Sequence, residues 1–271
     1  MEKPLPRFWL WLGIALALAA LIIFIFQTPP SLLRKVDYVA AAVCHRIPSH
    51  SFFVDEHQLP LCQRCTGTFA GALTGILFQW AIVRRRRTRL FPPLWQWLLI
   101  GGFAAIWGLD GFNSYTTLLL GQETGILGYA PQPWIRLFSG TFMGLGMSIV
   151  LVSAFNQVFW GDALPEAPLP RWRNVAPLLA AGLLQAGVIY TLEPWLLYPV
   201  ALYSTAGVIA MMMCLGAMIW VMALRREQRF MGWREAWLPL IWGIVFAAII
   251  IIGMGSVRLM LTGSVDGVPG L

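Results

Sequence analysis

Residues 236–257 read AWLPLIWGIVFAAIIIIGMGSV. This run holds no charged residue, and at 1.5 Å per residue a helix of that length reaches ~33 Å, about the thickness of a bilayer's hydrocarbon core. The rest of the chain has the same character. Of 271 residues, 58% are hydrophobic and 11% charged, and the mean hydropathy is +0.70. Soluble domains run at about 25% charged, so 19 Lys and Arg with 12 Asp and Glu are too few to cover a water-soluble particle. A soluble enzyme is excluded. The 14 Trp and 16 Phe exclude a disordered chain, and the absence of heptads excludes a coiled coil. The apolar runs are also too long for the ~10-residue alternation of a barrel strand. An all-α, polytopic membrane bundle remains.

Seven apolar segments are expected to span: Phe8 to Phe26, Thr66 to Val83, Leu94 to Phe112, Leu137 to Phe155, Val175 to Leu192, Leu196 to Leu224, and Ala236 to Val257. The first follows Lys3 and Arg7 as a secretory signal would. It is read as a span because it is long and leads into Gln27, Thr28, Pro29 and Pro30 without a small-residue cleavage site. With the N-terminus in the cytoplasm, 13 Lys and Arg fall inside: Lys3, Arg7, Arg84 to Arg87, Arg89, Arg171, Arg173, Arg225, Arg226, Arg229 and Arg234. Six fall outside: Arg34, Lys35, Arg46, Arg64, Arg136 and Arg258. The bias predicts N-in, C-out. It also accounts for the net charge of +7 without nucleic acid, since each basic cluster flanks a span where anionic headgroups lie.

The chemistry concentrates in CHRIPSHSFFVDEHQLPLCQRC, Cys44 to Cys65. This stretch contains all three histidines, His45, His50 and His57, and three of the four cysteines, Cys44, Cys62 and Cys65. Cys214 lies among methionines in a span and reads as packing. Three chemistries fit. In a metal site, Cys62 and Cys65 form a C-x-x-C knuckle, and Cys44 with one histidine completes a tetrahedron around zinc or another transition metal. Adjacent Cys44 and His45 are expected to share an ion with difficulty, which favours His50 or His57 as the fourth ligand. In a redox site, Cys62 and Cys65 are a dithiol pair, with Thr66 capping the second span and its N-terminus stabilising the Cys65 thiolate. A structural disulfide is the third.

Ser31 is placed to cap an amphipathic helix. Leu32, Leu33, Val36, Val39, Ala40 and Val43 form one face, and Arg34, Lys35 and Asp37 the other. Such a helix either lies on the membrane surface or packs within the loop. Gly67, Gly71 and Gly75 in the second span, and Gly140 and Gly144 in the fourth, are small-xxx-small series that admit a close neighbour. Asp110 stands about 16 residues into its span, roughly 24 Å across. Together with Asn113, Ser114, Arg136, Glu193 and Arg258 it faces the compartment of the Cys/His segment. A ring of these residue types suits a polar or phosphorylated headgroup.

CHRIPSHSF (Cys44 to Phe52), PLCQRCTGTFAG (Pro60 to Gly71), LDGFNSY (Leu109 to Tyr115) and Arg136 with Gly140 and Gly144 resemble a family of small bacterial and archaeal membrane proteins of unknown function. That family carries C-H-x-x-P-x-R-S, then P-x-C-x-R-C-T-G, an Asp-Gly element, and an Asn-and-Arg element before a glycine-rich span. The resemblance covers about Val43 to Gly144 and departs at His50, where the family has Arg. It points to Cys44, His45, Pro48, Ser51, Cys62, Arg64, Cys65, Thr66, Gly67, Asp110 and Arg136.

The expected organisation is one membrane domain, 1–271, in the plasma membrane of a bacterium or archaeon. It divides into an extracytoplasmic Cys/His segment (27–65), motif-bearing spans (66–144) and additional spans (145–271). The first functional expectation is a metal-dependent enzyme acting on a lipid-linked or phosphorylated substrate, with Asp110 as base or acceptor and Arg64 and Arg136 holding an anion. The alternatives are a transporter or binding protein whose metal or disulfide is structural, and a thiol-disulfide oxidoreductase using Cys62 and Cys65. The bilayer is the expected partner, and no nucleic-acid partner is expected.

Overall fold

A computed structural model describes residues 6–83 and 87–266. Lys3 and Arg84, Arg85 and Arg86, all assigned to the inner side by charge, lie outside the described residues. Among the described residues, seven helices occupy the seven apolar stretches: α1 (Arg7–Gln27), α3 (Gln63–Val83), α4 (Leu94–Leu120), α5 (Pro133–Phe159), α6 (Trp172–Tyr190), α7 (Leu197–Ala223) and α8 (Trp233–Thr262). A shorter helix, α2 (Leu32–Ala41), and a hairpin of β1 (Ser51–Val54) and β2 (His57–Cys62) lie between α1 and α3. Four helices among the described residues, α1, α5, α7 and α8, are both long and apolar enough to cross a membrane. The others carry more polar side chains, such as Arg64, Thr74 and Gln79 in α3, Asp110 and Asn113 in α4, and Asn174 and Gln185 in α6.

The tightest packing is between α3 and α5, and glycine makes it possible. A β-carbon on Gly67 would overlap the Leu137 carbonyl, and one on Gly71 the Thr141 carbonyl; from the other side, Gly140 lies on the Arg64 carbonyl and Gly144 on that of Thr68. The two small-residue faces therefore interlock backbone to backbone. This register sets Gln63 and Arg64 at the start of α3 beside Arg136 at the start of α5.

The segment between α1 and α3 is folded rather than loose. α2 buries Val36, Val39 and Ala40 as expected of its apolar face, Asp37 is buried as well, and the helix packs against α7 and α8. Ser31 stands at its N-cap position without a side-chain cap bond. The hairpin turns at Asp55, whose φ of 52° is left-handed. It buries Phe52, Val54, Leu59 and Leu61 and joins the core through Leu137, Leu196 and Val200. Antiparallel pairing puts Ser51 opposite Cys62, and Val54 opposite His57. The opposite end of the bundle is closed by an aromatic cluster that includes Phe155, Phe159, Trp160 and Trp233. There Arg87 stacks 3.9 Å above Trp160 and pairs with Asp162 at 3.0 Å.

Candidate metal centre

Cys44 follows α2, and its N–H donates to the Ala40 carbonyl at 2.9 Å in a last helical turn. The chain then bends through Arg46, which has a left-handed φ of 54°. Cys44, His45 and Cys62 offer ligand atoms that all lie within 4.8 Å of one another. The expectation that Cys44 and His45 would be kept apart by adjacency thus meets a chain that brings them together. The Cys62 N–H also donates to Cys44 Sγ at 3.2 Å.

Cys65 stands outside that three-residue group but near enough for its thiol to act on those of Cys44 and Cys62. It lies inside α3 because that helix starts at Gln63, three residues before Thr66. Thr66 is accordingly not a cap, and its hydroxyl donates to the Leu61 carbonyl at 3.1 Å. All four cysteines are free, and Cys214 sits in the hydrophobic core with Met211 and Ala217. Hydrogen bonds from Cys62 and Cys65 hold the Cys44 thiol well below its ordinary range, while the Cys62 thiol, hydrogen-bonded to Cys44, is pushed up to about 12.

The histidines separate. His45 is exposed and its Nδ1 accepts the Ile47 N–H at 2.9 Å. His50 stands edge-on to it, ring centroids 5.7 Å apart. Burial, then the positive charge of Arg136, pushes the His50 imidazole down to about 4. His57 is at the far end of β2, exposed and opposite Val54. Five residues of strand put it ~16 Å from Cys62, and it borders a separate charged recess with Arg34, Asp37 and Asp266.

His45 and His50 also line a cavity of about 530 Å³ with Ile47, Arg64, Ser114 and Leu118. Behind its wall, Arg64 pairs with Asp110 and donates to Ser114 Oγ at 3.2 Å. Arg136 donates to the same Ser114 Oγ at 3.3 Å and to Gln63 Oε1 at 3.1 Å. Asp110 is 2% exposed and also accepts the Tyr129 hydroxyl at 3.2 Å. Gln63 reaches back to the Ser51 carbonyl at 3.2 Å, and Ser51 Oγ donates to the Ile47 carbonyl at 2.9 Å, so the polar cluster and the ligand loop are one network. Pro48 opens the short 3-10 turn that ends at His50.

Sequence reasoning missed several supports: Tyr129 on Asp110, Arg46 on Asp37 at 2.6 Å, and Arg258 on the carbonyls of Ala41, Cys44 and His45. Local pattern carries no signal for these. The only hint was the presence of Asp37, Arg46 and Arg258 in or beside apolar stretches, where a charge needs a partner.

Apolar helices with a Cys/His cluster at one end of the bundle describe a helical membrane protein with a potential metal site. Residues 44–150, which hold all the candidate ligands together with Arg64, Asp110 and Arg136, match the family described as "Predicted membrane protein", DUF2085. An uncharacterized protein of Methanothermobacter thermautotrophicus is 29% identical over 109 residues, 40% of this chain and 83% of that protein. Another, from Methanocaldococcus jannaschii, is 28% identical over 61 residues, 22% of this chain and 38% of that protein, so the chain spans well under half of that relative's length. No solved structure matches.

Proposed function

We propose that this protein is a membrane-embedded metal-dependent enzyme acting on a lipid-linked or phosphorylated substrate. Zinc or another transition metal is held by Cys44, Cys62 and Cys65, with His45 as the ligand on the cavity side. One observation carries the reading: His45 belongs both to the ligand cluster and to the wall of the cavity that contains His50 and Arg64. Thiolates with an imidazole are a donor set for zinc or a similar borderline metal. A metal there acts as a Lewis acid on a phosphoryl or carbonyl oxygen. Arg64 and Arg136 share Ser114 and outnumber Asp110, which leaves positive charge for an anionic group. Both Asp110 oxygens are engaged, by Arg64 and Tyr129, which fits a role in orienting Arg64 better than a role as base. His50, its imidazole neutral near pH 7, lines the same cavity.

All seven long helices cross the membrane in this reading, with the N-terminus in the cytoplasm and the Cys/His segment extracytoplasmic, in a bacterial or archaeal plasma membrane. The 13 to 6 partition of basic residues supports it. The test is release of phosphate or headgroup from a panel of lipid phosphates by the metal-loaded chain. Turnover that disappears in Arg64→Met supports the proposal, and no turnover across the panel counts against it.

The lowered Cys44 thiol beside two further thiols favours one other reading, a thiol-disulfide oxidoreductase. Thiol counts before and after mild oxidation separate the two. Two thiols that cycle support redox chemistry, and thiols protected by bound metal reject it.

A further inference from the structure

We infer that Arg258 of α8 is a positioning residue for the metal centre, fixing the backbone of the two consecutive ligand residues Cys44 and His45. The inference rests on the metal reading above. One guanidinium donates to three carbonyls: Ala41 at 3.3 Å, Cys44, and His45 at 2.8 Å. Ala41 ends α2, so its carbonyl has no partner further along that helix, and a cation there also meets the negative end of the helix.

The stretch just beyond α8 grips the next residue. Arg46, 2% exposed, donates to the Val265 carbonyl at 3.1 Å and pairs with Asp37, while Asp266 holds Arg34 at 2.7 Å. A buried, left-handed arginine persists only where its surroundings determine it. Residues 258–266 thus close over the loop 44–46 from more than 200 positions away in the chain. The ligands lie within the matched segment 44–150, whereas this support comes from outside it. Because Cys44 Sγ already accepts the Cys62 N–H, a shift of the Cys44 backbone changes the distance between the thiolates that share the ion.

The test uses the full chain loaded with Zn²⁺ or Co²⁺, as wild type, Arg258→Met and Arg258→Lys. Arg258→Met is expected to weaken Zn²⁺ affinity by about tenfold or more, the range seen for residues that orient ligands. It should also alter the position or intensity of the Co²⁺–thiolate absorption while helix content stays the same. Arg258→Lys, with one ammonium for three carbonyls, should fall between the two, and it serves as the variant to read if Arg258→Met does not fold. Wild-type affinity and a wild-type Co²⁺ spectrum in Arg258→Met would overturn the inference. Should the wild type itself bind no metal, the metal reading fails, and positioning is read instead from the alkylation rate of Cys44. A faster rate in Arg258→Met supports it and an equal rate overturns it.

Discussion

Gly140 of α5 rests directly on the backbone carbonyl of Arg64 in the first turn of α3. Packing and chemistry meet at this point, because the same approach that locks the two helices together delivers the Arg64 guanidinium to Asp110 and to the cavity.

Gly140→Ala should therefore be far more disruptive than an ordinary helical Gly→Ala. Overpacking costs about 1–3 kcal/mol, and here the obstacle is backbone, so the melting temperature in detergent should drop. Gly102→Ala on α4, where an added β-carbon meets nothing within 4 Å, should leave it unchanged or raise it, since Ala is preferred to Gly in a helix by about 1 kcal/mol. Equal effects from the two would contradict the interlock.

Asp110→Asn removes the carboxylate partner of Arg64. Breaking a buried ion pair costs about 3–5 kcal/mol, and the low end applies because the Arg64 side chain is 17% exposed. The double variant Arg64→Met/Asp110→Asn should be less destabilised than the sum of the two singles. Additive losses in a double-mutant cycle by chemical unfolding would show that the pair does not couple.

His57 lies at the tip of the hairpin, away from the thiols. His57→Ala should keep full metal content and change stability by no more than about 0.5 kcal/mol, as exposed substitutions do. His45→Ala should weaken metal retention. Competition with a chromophoric chelator measures both, and the opposite order would place the fourth ligand at His57.

The hydrogen bond from Arg34 holds the Asp266 carboxyl below its ordinary value of 3.8. An acid with a lowered folded pKa contributes stability above its unfolded value, and that contribution is lost as pH falls through the folded one. Asp266→Asn should thus flatten the acid limb of the stability curve below about pH 4 and leave pH 7 within ~1 kcal/mol, the range for an exposed pair. An unchanged acid limb would remove Asp266 from the account.

Much of this architecture is visible in the sequence because it follows from periodicity and composition. Seven apolar runs became seven helices, the glycines of Gly67 to Gly75 and of Gly140 and Gly144 fell where two helices touch, and Val36, Val39 and Ala40 marked the buried side of α2. Clustering of Cys and His in 22 residues located the candidate centre. What escaped depends on the register of distant segments. Asp37 reads as a solvent-facing charge until Arg46 lies beside it, and Arg258 reads as an interfacial anchor until α8 stands against the ligand loop. The hairpin escaped because Phe52 and Val54 alternate over too few residues to be distinguished from a loop. Adjacency of Cys44 and His45 argued against a shared ion, yet their ligand atoms and that of Cys62 lie within 4.8 Å of one another.

The central claim is that the Cys44, His45, Cys62 and Cys65 cluster binds a metal ion, and elemental analysis of the purified full chain tests it most directly. The account predicts one zinc or other transition-metal ion per chain in the wild type and its loss in Cys62→Ser. A wild type without stoichiometric metal, or a Cys62→Ser variant with the same content as the wild type, would contradict it.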